Sequence, residues 1–367
     1  MKLPYILVLL VLIALFFPLI LPAALADRGG IPIGRLDATI FESGQRAIIA
    51  WNGTEEILIL STDLHANETM MVLEILPLPS NPKTIRKASD KSFTNAQNII
   101  RSHAPKVSPF RQMYTFSGSM ETTLPNSVEV TFHEKIGMHD IAVVKPFDIT
   151  EFASWIEGFL KDNNITEEAS LQSFETILEN YIVNGFDYFV LDLIELTAKQ
   201  KSVEPILYEF ETSSLYYPLK ISSMASGETK ITLFLLTREA IDELYCFPFR
   251  FAYYGSNPSI TNPAVQFTIE EQEIQSIDDN ISPLFGNHAW FTVLQYSGSN
   301  SALTRDLALP TWTFRLSYFT LLFRAILRYM IDLLPIEMII GLVIGSVLLL
   351  VMASDNRYDD RYKTVLK

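Results

Sequence analysis

Residues 127–156 read SVEVTFHEKIGMHDIAVVKPFDITEFASWI, and this stretch decides the fold. Apolar residues at the alternate positions 128, 130 and 132 predict a half-buried strand in which His133 faces water. Gly137 then marks a turn, and the apolar run 141–144 predicts a second strand that ends before a proline. The first half of the stretch is therefore a predicted β-hairpin.

The second half of the stretch predicts a helix. Asp148 and Glu151 have the spacing of a capping box, in which Asp148 accepts hydrogen bonds from first-turn amides and Glu151 reaches back. Apolar residues then recur at helical spacing up to Leu160. A second helix is predicted from about Thr166 to Gly185, a residue suited to a left-handed C-terminal cap.

Strand-like runs precede and follow the two helices, at 38–43, 46–51, 56–64, 70–79, 186–196, 206–212, 216–223, 231–237 and 247–254. Asn52-Gly53 lies between the second and third runs and is the dipeptide that tolerates the positive φ angles of a tight hairpin. Strands on both sides of a two-helix insertion predict a β-rich body of the α+β class, with the helices on one sheet face. Because about 300 residues usually form two cores, a boundary is expected within residues 80–126.

The N-terminus predicts export. Residues 1–26 carry one charge, Lys2, followed by a long apolar run and the small-x-small sequence Ala24-Leu25-Ala26, the pattern of a secretory signal peptide. The mature chain would start at Asp27. An uncleaved N-terminal anchor is the alternative, because the apolar run is long for a signal peptide.

The C-terminus predicts a membrane span. Residues 333–353 contain only Glu337 as a charged residue, and at about 1.5 Å per residue they are long enough to cross a hydrocarbon core about 30 Å thick. A buried core helix is the alternative. The tail 354–367 holds four basic residues, so the positive-inside bias places it in the cytoplasm and the body outside.

The segment just before the span is apolar and aromatic, yet charged residues recur on one helical side at Arg324, Arg328 and Asp332. This pattern predicts an amphipathic helix over 311–332, lying at the membrane surface or packed under the body. A core helix with a charged stripe in solvent fits the periodicity equally well. Three small residues inside the span have the spacing that allows two helices to pack closely, so a homodimer formed through the span is a hypothesis. These residues are Gly341, Gly345 and Ser346.

Charge and cysteine content restrict the function classes. The formal net charge is −14, which argues against a nucleic-acid partner and against adhesion of the body to anionic lipid. The single cysteine, Cys246, excludes intrachain disulfides, and its aromatic neighbours indicate a small buried residue. The basic segment 80–126 is interpreted as a face neutralised by the protein's own acids; the alternative is a binding site for an anionic wall polymer.

Four sequons are candidate glycosylation sites of a surface protein, at Asn52, Asn67, Asn164 and Asn280. All four lie in predicted turns on the predicted outer side of the membrane. Asn52 has a second role in the predicted hairpin, whether or not a sugar is attached to it.

Several blocks together resemble one family. Six blocks occur in the order found in a family of exported envelope proteins known as domain of unknown function 2330. The blocks are ADRGGIP, ESGQRAIIAWNGTEEILILSTD, VLEILPLPSNPKTI, KIGMHDIAVVKPFDITEFASWI, YIVNGFDYFVLDL and YYPLKISS. The resemblance covers roughly residues 27–240, and it implies export and a C-terminal membrane or envelope anchor but no established activity. His139 stands where the family pattern usually has Tyr, which implies that it is not a metal ligand. This chain lacks the paired cysteines of many relatives.

The residues themselves predict no catalytic, cofactor or metal site. A zinc helix needs His-Glu-x-x-His, but Gly137 occupies the place of the second histidine, and strand alternation separates His133 from Glu134. Nucleophile elbows and phosphate-binding glycine loops are also missing from the sequence. A group of acidic residues without calcium-loop spacing is interpreted as a solvated face, with weak cation binding as the alternative; it comprises Glu270, Glu271, Glu273, Asp278 and Asp279.

The sequence thus predicts a single-pass cell-surface protein that acts as a non-enzymatic interaction or envelope scaffold protein, binding a surface protein or an envelope polymer. The alternative is a membrane-anchored extracellular hydrolase with a site assembled from distant residues, for which a pocket at His288 or His65 would be the sign. The predicted segments are a signal peptide 1–26, a β-rich segment 27–79, a basic insert or linker 80–126, an α+β body 127–310, a juxtamembrane helix 311–332, a transmembrane helix 333–353 and a cytoplasmic tail 354–367.

Overall fold

The structure is a computed structural model that describes residues 31–33, 40–66, 70–89, 91–105, 129–163, 165, 172–196, 204–224, 227–255 and 262–314. The predicted signal peptide, membrane span and tail lie outside the described residues, as do Asn67, Asn164, Gly341, Gly345 and Ser346. Within the described residues, no helix is long and apolar enough to cross a membrane.

The strands are β1 Ile31–Ile33, β2 Ile40–Trp51, β3 Glu55–Ala66, β4 Met70–Leu78, β5 Thr84–Lys87, β6 Glu129–Ile136, β7 His139–Lys145, β8 Tyr188–Leu196, β9 Ile206–Glu211, β10 Ser214–Tyr217, β11 Glu228–Thr237, β12 Arg250–Phe251, β13 Gln266–Glu270, β14 His288–Ser299 and β15 Leu307–Pro310. The helices are α1 Ser92–Ser102, α2 Ile149–Asp162, α3 Gln172–Val183 and α4 Glu271–Ile277. Residues 311–314 are also helical, at the start of the predicted juxtamembrane helix.

The strands form two large sheets and one small one. The five-stranded sheet has the antiparallel order β1-β4-β8-β7-β6. The eight-stranded sheet has the order β12-β14-β11-β2-β3-β9-β5, with β13 also paired to β14 and with β11 and β2 parallel. Strands β10 and β15 form a separate antiparallel pair. The body is therefore β-rich with mixed sheets, in line with the predicted strands.

The core is arranged in four layers. Leu76 and Val143 of the five-stranded sheet share one buried cluster with Leu233 of the eight-stranded sheet, so the two sheets pack face to face. Helices α2 and α3 cover the outer face of the five-stranded sheet. Helices α1 and α4 cover the outer face of the other, where Phe93 and Ile274 pack. The two helices of the insertion thus lie on one sheet face, as expected, and α1 and α4 supply the apolar cover that the second sheet also needs.

The segment 80–126 does not separate two cores in the part of the chain that the structure describes. Strand β5, from this segment, pairs with β9, and β4 from before it pairs with β8 from after it. Both large sheets thus combine early and late strands, and residues up to Phe314 belong to one compact unit.

Two predicted strands are mostly irregular. The run 216–223 leaves its strand after Tyr217 and continues as a 3-10 helix at Lys220–Met224. The run 247–254 keeps only the two residues of β12. Each run contains a proline, which has no N–H to donate to a sheet ladder, and neither run therefore extends as predicted.

The helix cap predicted at Asp148 is present, and its removal should be measurable. The Asp148 carboxylate accepts a hydrogen bond of 2.9 Å from the backbone N–H of Glu151. Asp148→Ala should therefore lower the free energy of unfolding by about 1 kcal/mol, as lost N-caps commonly do. Urea unfolding of the detergent-solubilised full chain measures the loss. Ser154→Ala, at an exposed position of the same helix, is the control and should leave the stability unchanged.

Candidate functional site

The turn between β6 and β7 gathers the histidines that the sequence singled out. His133 Nε2 lies 2.8 Å from Asp140 Oδ1, and each of the two side chains is only 8% exposed. The ring also packs edge-on against Phe159 of α2, with 5.7 Å between centroids. The prediction that His133 faces water was wrong. The register of β6 shifts between Val130 and Phe132, which breaks the simple alternation, and α2 covers this face of the sheet.

His139 is held at both ring nitrogens. Its Nδ1 lies 2.7 Å from Asp192 Oδ2, and its Nε2 lies 3.0 Å from the backbone carbonyl oxygen of Glu204. A carbonyl oxygen only accepts, so Nε2 carries a proton, and the Nδ1 contact uses the remaining nitrogen. Both ring nitrogens are thus engaged inside the body.

Glu204 extends this cluster to the basic segment. Its side chain is fully buried, and its Oε1 lies 2.8 Å from Lys87 Nζ. Glu204 also lies against Gly137, the glycine of the β6–β7 turn, which has a φ of +66°. The cluster therefore joins β5, the β6–β7 hairpin and β8, and its groups are engaged in contacts that hold these elements together.

The other two histidines with described side chains are elsewhere. His103 stacks on Phe267 at 4.2 Å between centroids, and its Nε2 lies 2.9 Å from Glu273. His288 is exposed at the start of β14. Among the described residues, no group of three or more His, Cys, Asp or Glu side chains could hold a metal ion.

In the described part of the basic segment, three cations pair with acids of the body, in line with the preferred interpretation. Lys83 Nζ lies 2.6 Å from Glu55 and 2.9 Å from Glu211. Arg86 pairs with Asp278 at 3.0 Å. Lys87 pairs with Glu204, as described above. These three cations reach different elements, so they fasten β5 to its neighbours.

The acidic group around α4 is not uniformly solvated. Glu270 and Glu273 form a capping box at the start of α4. The prediction of a solvated face was wrong for Asp278, which is buried. Its carboxylate accepts hydrogen bonds from the side chains of Arg86 and Asn280, which compensate for the loss of solvent. Burial raises the pKa of Asp278, but the hydrogen bonds from Asn280 and the charge of Arg86 outweigh it and lower the pKa.

An open cleft of about 510 Å³ lies between the start of α1 and the end of α4. Its lining includes Arg86, Lys87, Lys91, Asn95, Asp279 and Asn280. The cleft has charges of both signs and no histidine in its lining. It thus does not match the pocket expected of the hydrolase alternative.

The two described sequons occupy turns, as predicted. Asn52 Oδ1 accepts hydrogen bonds from the backbone N–H groups of Thr54 and Glu55 at 3.0 and 2.9 Å, and Gly53 has a φ of 109°. Asn280 is exposed at the rim of the cleft. Glycosylation at these positions stays a prediction.

Glu56 was missed by sequence reasoning. It is fully buried in β3, where its Oε2 accepts a hydrogen bond of 2.7 Å from the backbone N–H of Tyr216, and its Oε1 has no hydrogen-bond partner among the described residues. Burial raises its pKa well above the usual 4.5. No local signal separates Glu56 from the half-buried Glu55 beside it, because β10, which donates the hydrogen bond, lies far away in sequence.

Glu56→Gln should stabilise the protein at neutral pH and have little effect in acid. The folded-state pKa is raised, so the stability that the protonated carboxyl contributes is fully present below the unfolded pKa of 4.5 and is lost as pH rises through the folded pKa. Glutamine keeps an acceptor for Tyr216 and cannot ionise. We expect the free energy of unfolding to rise by about 1 to 3 kcal/mol at pH 8. Urea unfolding of the unsubstituted protein and of Glu56→Gln from pH 4 to pH 8 measures the difference. A difference that does not vary with pH would contradict this expectation.

Cys246 is buried as predicted. Burial, with the nearby charges of Glu243 and Asp242, raises the pKa of its thiol to about 12. The thiol is therefore protonated at neutral pH and is not an activated nucleophile.

Comparison with known proteins gives one informative match. No curated protein matches the sequence. The crystal structure of baculovirus P35 matches with 13% sequence identity and a TM-score of 0.40. The match covers 76% of this chain and 99% of that chain. A mutated baculovirus P35 after caspase cleavage is 11% identical, with a TM-score of 0.39 and coverage of 73% and 100%. These similarities carry no functional argument.

The family model described as "Uncharacterized protein conserved in bacteria (DUF2330)" matches residues 22–252. The match spans more than half of the chain and confirms the resemblance recognised in the ordered sequence blocks. The chain therefore belongs to this family of uncharacterized proteins conserved in bacteria.

Proposed function

We propose that the chain is a single-pass, membrane-anchored cell-surface protein whose β-rich body acts outside the membrane as a non-enzymatic interaction or scaffold protein. The topology is supported by the sequence of both ends, with the export signal in residues 1–26 and the apolar run 333–353 before a tail with four basic residues. The family is described as uncharacterized, so membership of it assigns no activity to the chain.

The observation that carries the non-enzymatic role is the use of the polar cluster at the β6–β7 turn. His133, His139 and Glu204 are bonded to partners inside the body. Catalytic groups need access to substrate, whereas His139 and Glu204 are buried inside the body and His133 packs against Phe159 of helix α2. The cluster thus acts as an internal support, and the external surface is left for binding.

The anchoring part of the proposal is tested by extraction and topology. The full chain should stay in the membrane pellet after alkaline carbonate treatment, while a chain ending at residue 332 should be released. Protease added outside intact cells should digest the body and spare a C-terminal tag. N-terminal sequencing should find Asp27 first. Release of the full chain, or digestion of the tag, would overturn the anchoring.

The interaction part is tested by purification. The tagged full chain, taken from its native membranes in mild detergent, should carry a stoichiometric surface partner or envelope polymer, identified by mass spectrometry together with a native mass. Gly341→Leu with Gly345→Leu separates self-association through the span from binding by the body. A monomer that carries nothing would contradict the scaffold role and favour the hydrolase alternative.

A further inference from the structure

An exposed apolar surface lies where the described body ends. Leu244, Phe247 and Trp312 are 63%, 58% and 55% exposed, and large apolar side chains grouped at a surface commonly mark an interaction site. Together with the half-buried Tyr245 they are called the aromatic patch. Three of its members come from the turn at 244–247, and Trp312 comes from the last described segment.

The patch brings together two segments that contact each other. Tyr245 and Trp312 meet edge to face, with 5.6 Å between ring centroids. The guanidinium of Arg305 lies 5.3 Å over the ring of Phe247, so a cation borders the apolar side chains. Arg250, which follows the turn, is also exposed.

The patch is held rigidly from below. Asp242 accepts a 3.0 Å hydrogen bond from the N–H of Leu244, and Glu243 accepts one of 2.9 Å from the N–H of Phe251. Phe314 is buried and packs against Trp51, with 5.3 Å between centroids. The backbone of the turn and the helical segment that carries Trp312 are thus tied to the body.

We propose that the aromatic patch inserts into the headgroup region of the bilayer that anchors the chain. Trp and Tyr rings bordered by arginine are the side chains that favour the membrane–water interface. The position in the chain fits, because the described body ends two residues after Trp312 and the predicted span starts at Leu333. This inference rests on the proposed membrane anchoring and adds a defined orientation: the face that carries residues 244–247 lies against the lipid.

The acidic body sharpens the choice of lipid. A chain with a formal net charge of −14 is repelled by an anionic surface as a whole, so the contact depends on ring insertion more than on charge. Vesicles of zwitterionic phosphatidylcholine are therefore the appropriate probe, and the contact should persist when the salt concentration is raised.

The test measures quenching of tryptophan fluorescence by brominated phosphatidylcholine in vesicles that contain the full chain. The chain has four tryptophans, which are Trp51, Trp155, Trp290 and Trp312. Quenching should fall about threefold in Trp312→Phe, since Trp312 is the ring placed in the headgroups. Leu244→Trp in the same background should restore it, because residue 244 lies on the same face.

Glu157→Trp in the Trp312→Phe background is the matched control. This position is exposed on α2, which covers the outer face of the five-stranded sheet, and a tryptophan there should not be quenched. Equal quenching at positions 244 and 157, or no change in Trp312→Phe, would overturn the orientation. Absence of quenching at 244 together with a dimeric native mass would assign the patch to a second copy instead. Carbonate extraction of the same vesicles separates this failure from a failure of anchoring, because an extracted chain would overturn both proposals.

Discussion

Gly137→Ala should lower the free energy of unfolding by about 3 kcal/mol or more, one of the two largest losses expected in this protein. The φ of Gly137 is +66°, which alanine adopts only with strain, and a Cβ added there would lie 1.6 Å from Glu204 Oε2. A carboxylate is normally free to move aside. Here the Glu204 side chain is fully buried and paired with the partly exposed Lys87, so displacing it disturbs an ion pair whose acid is buried.

The matched control is Gly286→Ala. Gly286 has a φ of +71°, close to that of Gly137, but an added Cβ would meet nothing within 4 Å. Only the backbone strain remains, and the loss should be about 1 kcal/mol. Urea unfolding of the two full-length variants in detergent measures the difference. Equal losses at both glycines would show that Glu204 moves aside without cost and would contradict the prediction.

Asp306→Ala should be comparably damaging, at about 3 to 5 kcal/mol. The Asp306 carboxylate accepts hydrogen bonds of 2.8 Å from the Tyr181 hydroxyl and from the N–H groups of Leu219 and Lys220, and one of 3.3 Å from the Tyr216 hydroxyl. Removing it leaves four donors without this acceptor. Burial raises the pKa of both tyrosines, and the negative charge of Asp306 raises it further.

Two comparisons separate this network from a general effect of charge. Asp279→Ala removes an exposed carboxylate and should change the stability by less than about 0.5 kcal/mol. Asp306→Ala should also lower the pH at which buried tyrosines ionise, which ultraviolet absorbance at alkaline pH detects. An Asp306→Ala chain as stable as Asp279→Ala would mean that water or other groups replace the carboxylate.

The parts of the fold that depend on neighbours in sequence could be predicted. Asn52-Gly53 forms its hairpin, Asp148 caps its helix, and Gly185 takes a φ of 83° after α3. Each of these features needs only a few adjacent residues, so its physical cause is visible in the sequence. Most of the strand runs were also recognisable by their apolar content, although 216–223 and 247–254 are strands over only two residues each.

The buried polar contacts could not be predicted, because their partners are distant in the chain. Glu56 and the N–H of Tyr216 are 160 residues apart, and Arg86 and Asp278 are 192 apart. Alternation misplaced His133 for a related reason. Helix α2 covers the sheet face on which His133 lies, and its ring packs against Phe159, so this polar side chain is inside the body.

The parallel pairing of β2 with β11 has a consequence for how the protein is made. β2 meets β3 at once through the Asn52-Gly53 turn, but its other neighbour, β11, is synthesised only much later. Until then one edge of β2 has no partner strand and can template wrong pairing with other chains. A sheet closed by such distant contacts also forms slowly. The nascent chain should therefore depend on a chaperone that holds unfolded chains. The yield of folded protein should fall when synthesis is faster than the available chaperone can bind new chains.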